Sequence, residues 1–287
     1  MLYTGRPGEG RAYPRAVWRL LKHGPGHGAL NMALDEAILL AVAEGQAPPT
    51  LRFYTWKPPC LSVGYAQPLA RYIDPKACRA MGYDLVRRPT GGRAILHIDE
   101  LTYSLALPQE DPRVAGGVVS SYQRLSEGLL VGLRQLGTNA IRAVSPSWDS
   151  GRTGRTAACF DLPSHFEITV GGKKLVGSAQ VRRQGVLLQH GALPLWGDIT
   201  RIVRVLRLSS EEHRAGMAAR LAKVATTLAQ AAGRVIPVGE AGQALAAGFA
   251  EALNIELAER ELTAWEREQA ERLRREKYGT EEYTFQR

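Results

Sequence analysis

Three constellations in this chain carry residue types that could do chemistry. The first joins Ala157-Ala158-Cys159-Phe160-Asp161 to the lysine-bearing stretch Gly172-Lys173-Lys174-Leu175-Val176-Gly177-Ser178-Ala179-Gln180. A lone cysteine is ordinarily an inert, buried small residue, and that plain reading serves for Cys60 and Cys78. Cys159 has a different context, after a polar segment rich in Gly and Arg and before a lysine hairpin. An ammonium folded against it would stabilise the thiolate, which is the form that attacks acyl groups. The second constellation is Arg87-Arg88-Pro89-Thr90-Gly91-Gly92-Arg93-Ala94-Ile95-Leu96-His97. Adjacent glycines let a backbone approach a ligand, and arginines offer planar donors to phosphate or carboxylate. The plainer alternative is a glycine turn with a solvated basic rim, and neither the Walker nor the Rossmann spacing is present. The third is Leu188-Gln189-His190-Gly191-Ala192-Leu193, where a histidine in an apolar strand is more often a hydrogen-bonded core residue than a catalyst. The glycine after it points to close packing or ligand approach.

The elements around these residues alternate between the two hydrophobic periods. Leu30 to Val42 has helical spacing, and Thr50 to Tyr54 and Cys60 to Tyr65 are short and rich in β-formers. Asp84 to Arg87 reads as a strand entering the glycine stretch, and Glu100 to Leu107 alternates with a strand period, so the glycine loop sits between strands. Val119 to Leu136 returns to helix, and Ser145 to Ala157 reads as a polar surface loop. Phe166 to Val170, Gly171-Gly172 and Lys173 to Val176 form a hairpin signal, because paired glycines accept the positive φ of a primed turn. A further strand runs from Gly185 to Leu195. Beyond Asp198 the composition is helical, ending in a charged helix from Glu259 to about Lys277.

With 287 residues and 45% hydrophobic composition, the chain can bury a substantial core. Its net charge of +9 favours acidic partners, either nucleic acid or an acidic carrier protein. No basic stripe interleaves with aromatics and no recognised nucleic-acid motif occurs, which speaks against the first. The start lacks a signal-peptide pattern and no stretch reaches membrane-spanning length, so a cytoplasmic protein without membrane contact is expected. Three cysteines without C-x-x-C spacing argue against a disulfide framework or a structural metal site.

In this order, Arg88-Pro89-Thr90-Gly91-Gly92-Arg93-Ala94-Ile95-Leu96-His97, Lys174-Leu175-Val176-Gly177-Ser178-Ala179-Gln180 and Leu188-Gln189-His190-Gly191 resemble the lipoate- and biotin-protein ligase superfamily. Ala158-Cys159-Phe160-Asp161 with Ser164-His165-Phe166-Glu167 is similar to its octanoyltransferase branch, and Glu276-Lys277-Tyr278 extends the similarity to the C-terminus. The resemblance implies an α+β fold, a mixed β-sheet flanked by helices with a helical C-terminal segment. The corresponding division is a catalytic domain over residues 1–255 and a C-terminal helix over 256–287 packed on it. It further implies transfer of octanoyl from the phosphopantetheine arm of acyl carrier protein to Cys159, and then to a lysine of the glycine-cleavage H protein or another lipoyl domain. No ATP, metal or other cofactor is expected.

By position, Cys159 and Lys174 match the acyl-thioester residue and its activating lysine, and Gly91-Gly92 and Gly177-Ser178-Ala179 match walls of the acyl site. Arg88, Arg93, His97, His190 and Gly191, in the same motifs, complete the substrate-binding candidates. Ile98-Asp99 departs from the family, which commonly places Asp directly after this histidine, and leaves open which carboxylate meets His97. Lys174 would act on the thiol pKa or on the developing oxyanion. Each methylene of an acyl chain contributes about 0.8 kcal/mol in an apolar tunnel, so length discrimination is severalfold unless the tunnel has a hard end. Arg152 and Arg155 are the foremost candidates for carrier contact. The rival readings are an ATP-dependent lipoate-protein ligase, against which Cys159 argues, an amidotransferase drawing on octanoylated H protein, and a basic nucleic-acid-binding protein.

Overall fold

The computed structural model describes residues 13–144 and 166–286. Cys159, Arg152, Arg155 and the polar segment 145–157 lie outside the described residues. Eleven described strands run β1 (Ala16–Gly26), β2 (Thr50–Trp56), β3 (Cys60–Val63), β4 (Asp84–Arg87), β5 (Ile95–His97), β6 (Glu100–Pro108), β7 (Ile141–Val144), β8 (Phe166–Val170), β9 (Lys173–Arg183), β10 (Val186–Pro194) and β11 (Ile255–Glu259). The described helices are α1 (Gly28–Ala43), α2 (Leu69–Tyr72), α3 (Pro75–Ala80), α4 (Val118–Gln135), α5 (Glu211–Val224), α6 (Leu228–Ala232), α7 (Val238–Leu253), α8 (Ala264–Leu273) and α9 (Glu281–Phe285). A 3₁₀ helix covers Ile199–Val205, and a π-helical turn, Arg274–Tyr278, continues α8.

The large sheet has the order β11-β1-β2-β6-β10-β9-β8-β7, and a small sheet has the order β4-β3-β5. The fold is α+β, a mixed sheet flanked by helices. Strands β1 and β2 are parallel, so the chain must cross over between them, and α1 is that crossover. The remaining pairs from β2 to β7 are antiparallel. Helices α4 and α7 cover one face over the core of Leu105, Leu129, Leu133, Leu245 and Phe249. The other face carries α1, whose apolar residues are buried almost all round because elements pack on several of its sides.

Two strands stand where the sequence pattern did not announce them. β1 pairs along the buried middle of Ala16–Gly26, and β11 adds in parallel at its edge, Ala16 opposite Ile255. The expected charged helix from Glu259 is corrected accordingly. Residues 255–259 are strand, and α8 begins only after Thr263, whose side chain and that of Glu266 form a capping box. Segment 256–287 is therefore not a helix alone: most of β11 lies in it, inside the large sheet. Glu266 also accepts two hydrogen bonds from the buried Arg19 guanidinium, at 2.8 and 2.5 Å, tying α8 to β1.

The glycine pair of the hairpin behaves as expected, with φ of +56° at Gly171 and +75° at Gly172. The strand after it departs from regular alternation. Thr169 opposes Lys174, but Ile168 opposes Val176, so β9 holds one extra residue at this point. Leu175 and Val176 consequently both enter the core beneath α4 and α7. This bulge decides where Lys174 points.

Helices α4 and α7 touch through glycine. A Cβ on Gly248 would lie 2.3 Å from the Gly132 backbone nitrogen and 2.4 Å from the Gly128 carbonyl oxygen. Gly248→Ala should lower unfolding stability by roughly 1–3 kcal/mol or more. Gly216→Ala, on α5 with open space around it, should be neutral or stabilising by about 0.4–1 kcal/mol. Urea unfolding of both variants checks the contrast.

Candidate active site

The site begins with a carboxylate. Asp35 sits fully buried in the middle of α1, where a charge is costly unless paired. Its Oδ1 accepts from Arg52 Nη1 of β2 at 2.7 Å and from Ser104 Oγ of β6 at 2.8 Å. Its Oδ2 accepts from Tyr54 OH at 2.9 Å and meets His190 Nδ1 of β10 at 3.2 Å. Burial pushes this carboxyl upward, but Arg52 and the His190 and Ser104 hydrogen bonds outweigh it and hold it below its ordinary range.

His190 is the opposite case. Burial pushes its pKa down, and the Asp35 contact only partly offsets that. The neutral ring must present N–H to the carboxylate through Nδ1, since a carboxylate only accepts. Nε2 is then the acceptor for the Thr90 hydroxyl at 2.7 Å. His190 is thus both a hydrogen-bonded core histidine and the link from α1 to the glycine loop.

Arg88 organises that loop from within. Its guanidinium donates to the carbonyls of Gly91 (2.8 Å), Arg93 (2.8 Å) and Ser62 (3.2 Å), and to Ser62 Oγ at 3.1 Å. The neighbouring Arg87, fully buried, donates to carbonyls of Gly64 and Gln67 on one side and Thr284 on the other, fastening α9 to the segment that follows β3. The close approach permitted by glycine here is between two backbones: a Cβ on Gly64 would fall 2.0 Å from the Gly92 carbonyl oxygen.

Between the large sheet and the small one lies a narrow cavity. Its floor is Thr102, Gly177, Ala179, His190, Gly191 and Ala192. Its other walls include Ser62, Ile95 and His97 of the small sheet, with Met32, Tyr54, Trp56 and Arg88. Small residues on β9 and β10 create the space. Gly191 is required by the opposite face, where a Cβ would meet Tyr103 at 2.5 Å and Ser178 Oγ at 2.6 Å on the α4 side.

The carboxylate that meets His97 is Glu100, with Nδ1 to Oε1 at 3.1 Å, while Nε2 pairs with Ser62 Oγ at 2.7 Å. Asp99 instead adopts a left-handed backbone, φ +51°, and pairs with Arg201 at 2.8 Å. The His97 ring also stacks on Trp56, with centroids 4.0 Å apart.

Lys174 is buried and donates to Glu167 Oε1 at 2.6 Å. Without the bulge it would point toward α4, opposite in parity to Gly177. Because Leu175 and Val176 both face the α4 side, Lys174 falls on the same face as Gly177 and Ala179. Glu167, one residue from core-facing Ile168, is carried to that face as well.

Residues 27–250 match the lipoyl protein ligase A/B catalytic domain. The chain belongs to that family. The octanoyltransferase LipM of Kyrpidia tusciae is 46% identical over 271 residues, covering 94% of this chain and 98% of that one. Its counterpart from Symbiobacterium thermophilum is 45% identical over 271 residues, covering 93% and 98%. A bi-partite lipoate protein ligase from Thermoplasma acidophilum has the same fold at TM-score 0.78 and 28% identity, covering 94% of this chain and 96% of that one. The chain is an acyltransferase of this family.

Of the residues singled out from sequence, Arg88, His97, Gly177, Ala179, His190 and Gly191 come together around the cavity. Gly91 and Gly92 are exposed and Arg93 is half-buried, and none of the three lines the cavity. Ser178 faces away, its Oγ bonded to Tyr103 OH at 2.7 Å, because strand alternation sends it to the α4 side. Cys60 and Cys78 are buried free thiols. Burial pushes Cys60 far up and Cys78 up to about 11, so both are inert at neutral pH. Sequence reasoning missed Asp35, Arg52, Tyr54, Ser62, Glu100, Ser104 and Glu167. For Asp35 a signal existed, the carboxylate pair Asp35-Glu36 inside a mostly apolar helical run.

Arg52 Nε also donates to His23 Nδ1 at 2.8 Å, and burial with this guanidinium pushes His23 down to about 4. His23 and His190 stay neutral in the fold where the unfolded chain, titrating near 6.5, binds protons. Their contribution is complete above that value and is lost as pH falls toward the folded value. The urea midpoint should therefore drop between about pH 7.5 and 5. His23→Gln, which keeps an acceptor for Arg52, should flatten that slope; an unchanged slope would refute the assignment.

Proposed function

We propose that this enzyme transfers octanoyl from octanoyl-acyl carrier protein to a specific lysine of the glycine-cleavage H protein, or a related lipoyl domain, through a thioester on Cys159 in lipoate biosynthesis. Two octanoyltransferase relatives at 45% and 46% identity support the acyl group. The observation that carries the site is Lys174, buried on the cavity face by the β9 bulge, on a hairpin whose first strand starts soon after the Cys159 segment.

In the first step the Cys159 sulfur attacks the donor thioester carbonyl. A C–S bond to the enzyme forms, the C–S bond to the carrier arm breaks, and the arm leaves as a thiol with the proton from Cys159. In the second step the neutral amine of the acceptor lysine attacks the enzyme thioester. The amide C–N bond forms, the C–S bond to Cys159 breaks, and the amine proton restores the thiol. Thioester exchange is nearly balanced and amide formation runs downhill, so neither nucleotide nor metal is required.

The ammonium of Lys174 would stabilise the thiolate or the negative charge developing on the carbonyl oxygen. Glu167 holds that ammonium in place at 2.6 Å. His97, braced by Glu100, Ser62 and the Trp56 ring, and His190 behind it line the cavity as fixed walls for the acyl chain. Arg88 lines it and holds the adjoining Gly91-Gly92 turn through the Gly91 carbonyl. The excess of basic residues suits acidic carrier and lipoyl domains, whose encounters it would steer.

Intact mass after mixing enzyme with octanoyl-acyl carrier protein, without ATP, tests the reading. An octanoyl adduct is expected on the natural chain and not on Cys159→Ala; dependence on ATP and free octanoate would sink it. Lys174→Met should slow acylation by about 10²-fold or more, and Lys174→Met/Glu167→Gln, which removes both members of the buried ion pair, should be as slow while retaining the fold.

A further inference from the structure

One lateral row of strand partners crosses the cavity between the two sheets. Gly177 of β9 opposes Ala192 of β10, Ala192 opposes Thr102 of β6, and Thr102 opposes Tyr54 of β2. All four line the cavity. At about 4.8 Å per strand the row spans about 14 Å, whereas an extended octanoyl chain is about 9 Å long. Under the function proposed above, the acyl carbonyl lies toward β9, the strand that carries Lys174, and the methyl end points toward β2. Met32 of α1 stands with Tyr54 at that far end, in one apolar cluster with Cys60 of β3 and Val86 of β4.

Because the cavity is narrow, an acyl chain enters only where a wall yields, and most of the walls are tethered. Tyr54 OH is held by Asp35 at 2.9 Å, and Trp56 Nε1 by Thr102 at 2.8 Å. Both ring nitrogens of His97 and of His190 have partners. Arg88 is engaged with loop carbonyls and with Ser62. Ile95 is branched at Cβ and stiff, and the glycines and alanines of β9 and β10 move only with their strands. Met32 is the exception among the described lining residues, an unbranched thioether with three rotatable bonds that no hydrogen bond fixes. Its cluster extends to Ala29, Leu30 and Tyr278, which also line a separate surface groove, so a displaced methionine tip moves toward open space rather than into a closed core.

We propose that Met32 is the movable end wall of the acyl cavity and the residue that sets acyl-chain length. Its side chain swings back to seat the methyl end of an octanoyl chain and then blocks further methylenes. A hexanoyl chain, two methylenes shorter, stops before it. This assignment rests on the octanoyl transfer proposed above and names the residue behind its choice of chain. Apolar walls alone give a graded preference of about fourfold per methylene, whereas an end wall makes the limit sharp.

Acylation of the full chain by hexanoyl-, octanoyl- and decanoyl-acyl carrier protein, followed by intact mass, reads the end wall. Met32→Ala removes three heavy atoms there and should raise the decanoyl-to-octanoyl rate ratio by about fivefold or more. Met32→Ile keeps most of the bulk but is stiff at χ1 in a helix, and should lower the octanoyl-to-hexanoyl ratio by about fivefold. Ratios taken within one variant cancel any loss of folded protein, and Met32→Ile decides the matter if the alanine variant does not fold. A ratio that stays unchanged in either folded variant, with every chain length slowed alike, would overturn the end wall. If the natural chain takes acyl groups from no carrier and requires ATP with free acid, the transferase reading fails instead, and hexanoate, octanoate and decanoate supplied with ATP then read the same two ratios.

Discussion

The buried Asp35 carboxylate is the constraint on which the site depends. It lies on the crossover helix between two parallel strands and accepts from residues of β2, β6 and β10 at once. A carboxylate without exposure to solvent persists only if its lone pairs are filled and its charge is matched, and Arg52 supplies the match. Satisfying it sets the position of α1 against the sheet. Through His190 it also fixes a ring whose far nitrogen holds Thr90, so the same charge that orients the helix anchors the glycine loop.

Around that anchor the polar groups divide by purpose. Arg87 and Arg88 turn inward and spend their donors on loop carbonyls, so a stretch that looks like a basic ligand-binding rim is largely a self-braced turn. The Trp56–Thr102–Glu100–His97 chain makes one rigid wall of the cavity. The C-terminal elements close the rear: Lys277 and Tyr278 both donate to Glu36, the neighbour of Asp35, and Arg183 does so from β9. Consecutive carboxylates on α1 thus face different work, one holding the site and the other holding the chain terminus.

The β9 bulge shows how one extra residue converts a structural hairpin into part of a site. Regular alternation would place Lys174 against the apolar core under α4, where an ammonium is intolerable without a partner. The bulge places Leu175 and Val176 in that core instead and turns Lys174 with Glu167 to the cavity face. The same strand alternation, regular beyond the bulge, gives Gly177 and Ala179 to the cavity and Ser178 to Tyr103 on the other side.

Much was legible in the sequence where local physics decides. The helical period of Leu30 to Val42, the strand period of Glu100 to Leu107 and the double-glycine turn at Gly171-Gly172 each appear as α1, β6 and the β8–β9 hairpin, because periodicity and positive φ are properties of a few consecutive residues. The motifs around Arg88, Lys174 and His190 were likewise legible as types. What they bind to was decided only by tertiary structure. Strand β11 exists through pairing with β1, a segment more than two hundred residues away. The partners of Asp35 come from three different strands, and the choice of Glu100 over Asp99 for His97 follows from a left-handed backbone at Asp99. Spacing along a chain reports which faces residues share within an element; which charge meets which, and on what side of a sheet a lysine emerges, depends on register and bulges set by the whole core.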